Sequence, residues 1–321
     1  MPARTDTAIW TEPWRHASAG EMARLYRAEH ARQAAALDWD TSPTWTALEQ
    51  ARSAGTVAGL VARDDTGAIA GWTFFVLREG ELQVGAFTAT PEACEPLLAD
   101  LLHTPEARAA GRVRVFGATN APGLADALTS RGFAVGAYHY LTAALPGTAR
   151  ADGAAPWRPA DLLPAAALMR DAYAAPDPLR PFGGAGRLDD WTAYVLGLTT
   201  TAGCGVFAPE LSVVHRTADG AIDAVAVVTR LGPAVAHLAQ LAVAPSRHGR
   251  GIGGRLLDQA MHRAAAAGLT AMTLLVAADN TVARRLYAAR GFRYAASFLS
   301  AVTATVPAAA VASPPALATR A

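Results

Sequence analysis

Four glycines crowd the segment LAQLAVAPSRHGRGIGGRLL, residues 238–257, at positions 249, 251, 253 and 254. They stand between an apolar run that reads as a buried strand, Val235–Val243, and an amphipathic pattern that predicts a helix over about 250–267. Glycine leaves backbone N–H groups uncovered, and a helix N-terminus adds the positive end of its dipole. Together they suit the binding of a phosphate or diphosphate. Arg247, Arg250 and Arg255 surround the loop with positive charge. Gly249, Gly251 and Gly254 also satisfy G-x-G-x-x-G, which raises a dinucleotide-binding fold. That fold places an acidic residue about 20 positions further on, closing the second strand. Here position 274 is leucine, and the first acid, Asp279, comes after the strand has ended. A glycine-rich turn with no ligand is the plainer alternative, but four glycines and three arginines within residues 247–255 are a costly way to make a connection.

Composition narrows the chemistry further. The 321 residues are 52% hydrophobic and 17% charged, enough for two buried cores. A net charge of +1 argues against a nucleic-acid partner. All 28 basic residues are arginine, so a Walker A loop, a Schiff-base lysine and a lysine base are excluded. Cys94 and Cys204 are too few and too far apart for a cysteine metal site or a disulfide framework. His215, His237 and His248 share no metal-ligand spacing, and no metal is expected. The N-terminal MPARTDTAIWTEPWR lacks the apolar core of a signal peptide, and no apolar run reaches the roughly 18 residues of a membrane span. The expectation is a soluble, cytoplasmic protein with no membrane partner.

The chain also repeats itself. Pro13-Trp14-Arg15 returns as Pro156-Trp157-Arg158, and Leu25-Tyr26-Arg27 matches Leu168-Met169-Arg170 at the same offset. Trp45-Thr46-Ala47, Gly67-Ala68-Ile69 and Arg131-Gly132-Phe133 return in order as Trp191-Thr192-Ala193, Gly220-Ala221-Ile222 and Arg290-Gly291-Phe292. A duplicated unit of about 145 residues is implied. Residues 146–156, PGTARADGAAP, read as the linker, and 303–321 as a flexible Pro/Ala-rich tail. In the second copy, helices are expected over 161–174 and 187–200. Strands follow at 204–208, 211–217, 221–230 and 235–243, then the loop and its helix, a strand over 270–276, a helix over 280–290 and a strand from 292. That order is α+β, with meandering strands before a β-loop-α crossover.

Val243-Ala244-Pro245, His248-Gly249-Arg250-Gly251-Ile252-Gly253, Asn280, Ala283, Leu286-Tyr287 and Arg290-Gly291-Phe292 together resemble the GNAT superfamily of acyl-CoA-dependent N-acyltransferases. His248 stands where the family has Arg or Gln. The resemblance is specific over about 234–294, plausible over 156–302, and extends by repetition to 10–145. It implies two tandem GNAT-like domains, 1–145 and 157–302, each a mixed, mainly antiparallel twisted sheet flanked by helices. It also implies a set of roles. The N–H groups from His248 through Gly249, Arg250, Gly251, Ile252 and Gly253 to Gly254 would cradle the diphosphate of acetyl-CoA, with Arg255 beside them. Backbone groups of Leu241 and Val243 would pair with the pantetheine arm, and the Leu241 N–H would polarise the acyl carbonyl. Asn280 would bind the cofactor arm, and Tyr287 would protonate the departing thiolate. In the histone-acetylating branch a strand glutamate six residues before the motif valine deprotonates the amine. That place is His237 here, a candidate base, although many family members use solvent.

The first copy lacks the loop. Five residues, Glu92 to Pro96, separate Pro91 from Leu97-Leu98, where ten separate Pro245 from Leu256-Leu257. Leu128 replaces the tyrosine. Residues 1–145 therefore read as a degenerate copy that does not bind CoA in the family's manner and that completes the acceptor pocket or imitates a subunit. The expected activity is direct transfer of an acetyl group from acetyl-CoA to a primary amine of a small molecule, by a monomer (an internal pseudo-dimer) or a homodimer. Within 174–190, Asp177, Asp189 and Asp190 could hold a cationic amine and Arg180 a carboxylate. The alternatives are a mycothiol-synthase-like or antibiotic-amine acetyltransferase and, in a different class, a non-catalytic acyl-CoA sensor.

Overall fold

The computed structural model describes residues 8–145, 154–175, 177–184, 186–201 and 204–303. Most of the expected linker, 146–153, and the expected flexible tail, 304–321, lie outside the described residues. In chain order the first half supplies β1 (Trp10–Pro13), α1 (Ala19–Leu37), α2 (Ser42–Ser53), β2 (Ala58–Arg63), β3 (Ile69–Arg78) and β4 (Glu81–Ala89). It continues with α3 (Pro91–Leu102), α4 (Pro105–Ala109), β5 (Arg112–Gly117), α5 (Leu124–Ser130) and β6 (Ala134–Ala144). The second half supplies β7 (Ala155–Pro156), α6 (Leu162–Ala172), α7 (Leu188–Thr200), β8 (Val206–Phe207), β9 (Val213–Arg216) and β10 (Ile222–Arg230). It ends with β11 (Val235–Val243), α8 (Ile252–Ala266), β12 (Ala271–Ala277), α9 (Thr281–Ala288) and β13 (Arg293–Thr303). The elements expected of the second copy all form, and most ends move by only one to three residues.

The chain folds as two compact units that do not coincide with its two halves. Of the described residues, one takes those within 8–25, 44–136 and 298–303; the other takes those within 26–43 and 137–297. In the first unit the strands run β1-β2-β3-β4-β5, and Leu299–Thr303 of β13 lie antiparallel along β5. In the second they run β6-β12-β11-β10-β9-β7, with β8 also on β10. Each half thus gives its last strand to the unit built mainly by the other. The boundary drawn from the sequence at 146–156 therefore differs from the structural one. An exposed strand edge demands a partner, and two like copies offer equally good ones. The α1 helix is divided in the same way, and Tyr140 on β6 donates its hydroxyl to the Leu37 carbonyl at 2.8 Å within the second unit.

Both copies keep one internal irregularity. In the first, the β3/β4 register slips between Phe74↔Ala86 and Phe75↔Val84, leaving Gly85 unpaired. In the second, it slips between Val227↔Gln240 and Val228↔Leu238, leaving Ala239 unpaired. In each, the bulged strand runs parallel to the next one for the four residues before its bulge, Glu81–Val84 with Arg112–Val115 and Val235–Leu238 with Ala271–Leu274. The core of the second unit forms on both faces of β10 and β11. Leu256, Leu257, Ala260, Met261 and Ala264 of α8 cover one face; Leu168, Met169, Trp191 and Val195 of α6 and α7 cover the other. No described helix is long and apolar enough to cross a membrane.

Candidate active site

The Ala239 bulge opens the site. Pairing between β11 and β12 ends at Leu238↔Leu274, although β11 continues to Val243 and β12 to Ala277. A bulge bends its strand, and here the bend leaves a gap between the strand ends. Which groups line that gap follows from alternation. Ala244 N–H goes to the Asp223 carbonyl on the β10 side, so the N–H and C=O of Leu241 and Val243 point away from β10, into the gap. One of these groups is already engaged: His248 Nε2 donates to the Val243 carbonyl at 2.9 Å. The Val243 C=O, expected from the sequence to pair with a pantetheine arm, therefore holds a side chain of the loop.

The loop leads from β11 to α8. Gly249 and Gly251 have φ of +74° and +72°, and Gly251 is the N-cap of α8 with no side chain capping it. The first helical bond is Arg255 N–H to the Gly251 carbonyl, so the N–H groups of Ile252, Gly253 and Gly254 remain open at the positive end of the helix. Gly254 also sits against a neighbouring side chain. A Cβ there would stand 2.3 Å from Nη2 of Arg290, which forms an ion pair with Asp258 and ties the end of α9 to α8. The three arginines have separate fates. Arg247 lines the cleft with Nε held by Asp223 at 3.2 Å, whereas Arg255 reaches back to the Arg250 carbonyl.

A cleft of about 500 Å³ is lined by Leu241, Val243, Arg247, His248, Gly249, Gly251, Ile252, Gly253, Gly254, Asn280, Val282, Ala283, Leu286 and Tyr287. It therefore gathers the predicted residues apart from Arg250, Arg255, His237 and the acceptor candidates Asp177, Asp189, Asp190 and Arg180. Asn280 is the N-cap of α9, its Oδ1 accepting from Ala283 N–H at 3.0 Å, and it lines the cleft. Tyr287, in the last turn of α9, is 7% exposed, and its ring meets Phe292 at 5.8 Å. Burial pushes its phenol above the usual tyrosine range, so it stays protonated at neutral pH.

His237 is corrected by the structure. Its ring is buried and stacked on Tyr140, with centroids 6.1 Å apart, and Nδ1 is 2.9 Å from Thr273 Oγ1. Burial lowers its pKa to about 4, and it does not line the cleft. A weakly basic imidazole walled into the sheet is a core residue rather than a base.

The opposite face of β11 carries polar groups that the sequence did not single out. Gln240 alternates with Leu241 and points toward α6 and α7. There its Oε1 accepts from Tyr173 at 3.0 Å and its Nε2 donates to Tyr194 at 2.7 Å. Tyr173, Phe182, Trp191 and Tyr194 form a contiguous aromatic cluster beside it. Burial pushes Tyr173 up to about 12. Gln240, which holds the cluster to β11, is followed by Leu241, which lines the cleft. The signal was one polar residue in the apolar run LAQLAV; Tyr173 and Tyr194 simply fall within the two expected helices, 161–174 and 187–200. Of the acceptor candidates, Arg180 lies in this cluster, Asp177 is an exposed turn residue accepting from Leu179 N–H, and Asp190 caps α7 by accepting from Arg187 N–H. Asp189 is exposed.

In the first copy the corresponding gap is filled. Asn120 N–H bonds the Phe87 carbonyl at 3.3 Å, and Ala89 N–H bonds the Asn120 carbonyl at 3.0 Å. Thr90 caps α3 through its side chain, and Pro91 removes a further donor.

Comparison with known proteins places this geometry. Residues 185–292 match the model described as Acetyltransferase (GNAT) family. The second half of the chain carries a GNAT acetyltransferase domain. A domain of this family is an acyltransferase domain, and the fold of the whole chain has full-length counterparts. A GCN5-related N-acetyltransferase from Sphaerobacter thermophilus is 16% identical with a TM-score of 0.61, aligned over 94% of this chain and 96% of its own. A GNAT-family acetyltransferase from Colwellia psychrerythraea is 16% identical with a TM-score of 0.51, over 92% and 99%. A glucosamine N-acetyltransferase region of a fungal multi-domain GH3 β-N-acetylglucosaminidase is 14% identical with a TM-score of 0.57, over 94% of this chain and 39% of that one. At these identities the likeness is one of fold. No curated protein matches the chain by sequence. In this chain the glycine loop, the bulged strand and the α9 tyrosine converge only in the second copy.

Proposed function

We propose that the second copy transfers the acetyl group of acetyl-CoA to a primary amine of a small molecule by direct attack, without a covalent enzyme intermediate. The observation that carries this reading is the continuous path from the uncapped N-terminus of α8, along Leu241 and Val243, to Tyr287. Acetyl-CoA fits it chemically, because the donors at Ile252, Gly253 and Gly254 suit a diphosphate and the gap beside Leu241 suits an extended amide-bearing arm. Bound there, it supplies a thioester carbonyl open to attack. The Leu241 N–H supports the negative charge that grows on the carbonyl oxygen. Tyr287 gives its proton to the thiolate sulfur as the C–S bond breaks, and a proton released by the acylated nitrogen restores the phenol. The attacking amine loses its first proton to solvent, since His237 is out of reach. Asp177 and Arg180 stand on the acceptor side of the reading.

Titrating acetyl-CoA into the whole protein and into Gly251→Glu, followed by an amine panel read by thiol release, tests it. Glucosamine belongs in the panel. Binding lost in the variant, together with thiol release on some amine, is the expected result. Binding without turnover on any amine would favour an acyl-CoA sensor instead.

A further inference from the structure

We propose that the acceptor is an amino acid-like molecule whose carboxylate is bound by Arg180 while its amine is received by the Tyr173–Gln240–Tyr194 chain. This rests on the acyl-transfer reading above and adds a substrate class to it. Arg180 is held rigidly: Nη1 donates to the carbonyls of Tyr173 at 3.0 Å and Ala175 at 3.4 Å, and Nε donates to the Phe182 carbonyl at 3.3 Å. Its guanidinium also lies over the rings of Tyr173 and Trp191, 5.6 and 5.5 Å from their centroids. Among the described residues no carboxylate comes within salt-bridge distance of it. Asp177, the nearest acid in sequence, is turned to its own turn at Leu179. These contacts engage the Nη1 and Nε sides of the fork, and Nη2 faces none of the three carbonyls. A pre-ordered guanidinium with its charge unneutralised suits a carboxylate.

The neighbouring groups point the same way. Trp191 is fully buried, and its indole N–H has no acceptor among the described residues, so donors are in excess around Arg180. Tyr173 spends its hydroxyl proton on Gln240, which leaves the phenol oxygen as an acceptor for an amine N–H. That oxygen is held by Gln240, the residue that precedes Leu241 in β11. The carboxylate end and the amine end of one small molecule are thus both provided for, the amine on the side of the gap.

The test offers α- and ω-amino acids, each beside its decarboxylated amine and its carboxamide, to the intact protein with saturating acetyl-CoA, reading thiol release. At least one amino acid should exceed its decarboxylated partner in kcat/KM by about 10- to 100-fold, the scale of a charge-assisted contact. Arg180→Met should raise KM for that amino acid, erase the preference and keep acetyl-CoA affinity; Arg180→Lys should restore part of it. Equal turnover of acid, amine and carboxamide by the native protein overturns the inference without needing any variant. So does an Arg180→Met that lowers all three alike. Turnover confined to amines without a carboxylate overturns it while leaving acyl transfer standing, whereas failure to bind acetyl-CoA at all overturns both readings.

Discussion

Leu241 and Phe87 stand at equivalent places, two residues beyond a β-bulge, but the Phe87 carbonyl is taken by Asn120 N–H at 3.3 Å while Leu241 faces an open gap. The same segment of chain closes over Ala89, the counterpart of Val243. One copy has therefore satisfied internally the backbone groups that the other keeps for a ligand.

One acetyl-CoA should consequently bind per chain. Calorimetric titration of the intact protein should give a stoichiometry near one, and a second site of comparable affinity would contradict the closed gap. The intact chain is needed because the first unit includes Leu299–Thr303 along β5.

Replacing Tyr287 with phenylalanine should lower kcat by about 100-fold, the usual scale for a lost general acid. Acetyl-CoA affinity should change little, because Phe keeps the ring against Phe292. An unchanged kcat on any acceptor turned over would remove the tyrosine from the mechanism.

Arg247 and its two neighbours should separate. Arg247→Ala should weaken acetyl-CoA binding about tenfold, the scale of one charge-assisted contact to a phosphate. Arg250→Ala and Arg255→Ala should cost less, since neither side chain lines the cleft. Equal losses at all three positions would mean that general positive charge, not placement, governs binding.

His237 should make the fold acid-sensitive. Burial lowers its pKa in the folded chain to about 4, below the ordinary histidine range. The unfolded chain then binds the extra proton first as pH falls, so stability declines below about pH 6.5 and the loss is complete near pH 4. At pH 5 the loss is about 2 kcal/mol relative to pH 7. Urea unfolding at the two pH values, repeated with His237→Leu, should show that part of the acid sensitivity vanish in the variant. An undiminished acid loss there would assign the effect to other groups.

Much of this protein was legible in one dimension. Glycines at 249, 251, 253 and 254 between a strand and a helix announce an anion cradle because only small residues leave those N–H groups open. The paired triplets announce the duplication, and the shortened stretch from Glu92 to Pro96 announces the loss of the cradle in one copy. These are local properties, and local properties are carried by residue type and spacing. Three things were not local. The exchange of β6 and β13 depends on which of two like edges a strand meets, and both edges are compatible with the same pattern of residues. The closure of the first gap by Asn120 depends on a backbone bond, which no side chain signals. His237 and Gln240 are both polar residues in one apolar strand. The bulge between them and the partners across it, Thr273 and Tyr140 for one, Tyr173 and Tyr194 for the other, decided which packs into the sheet and which faces α6 and α7.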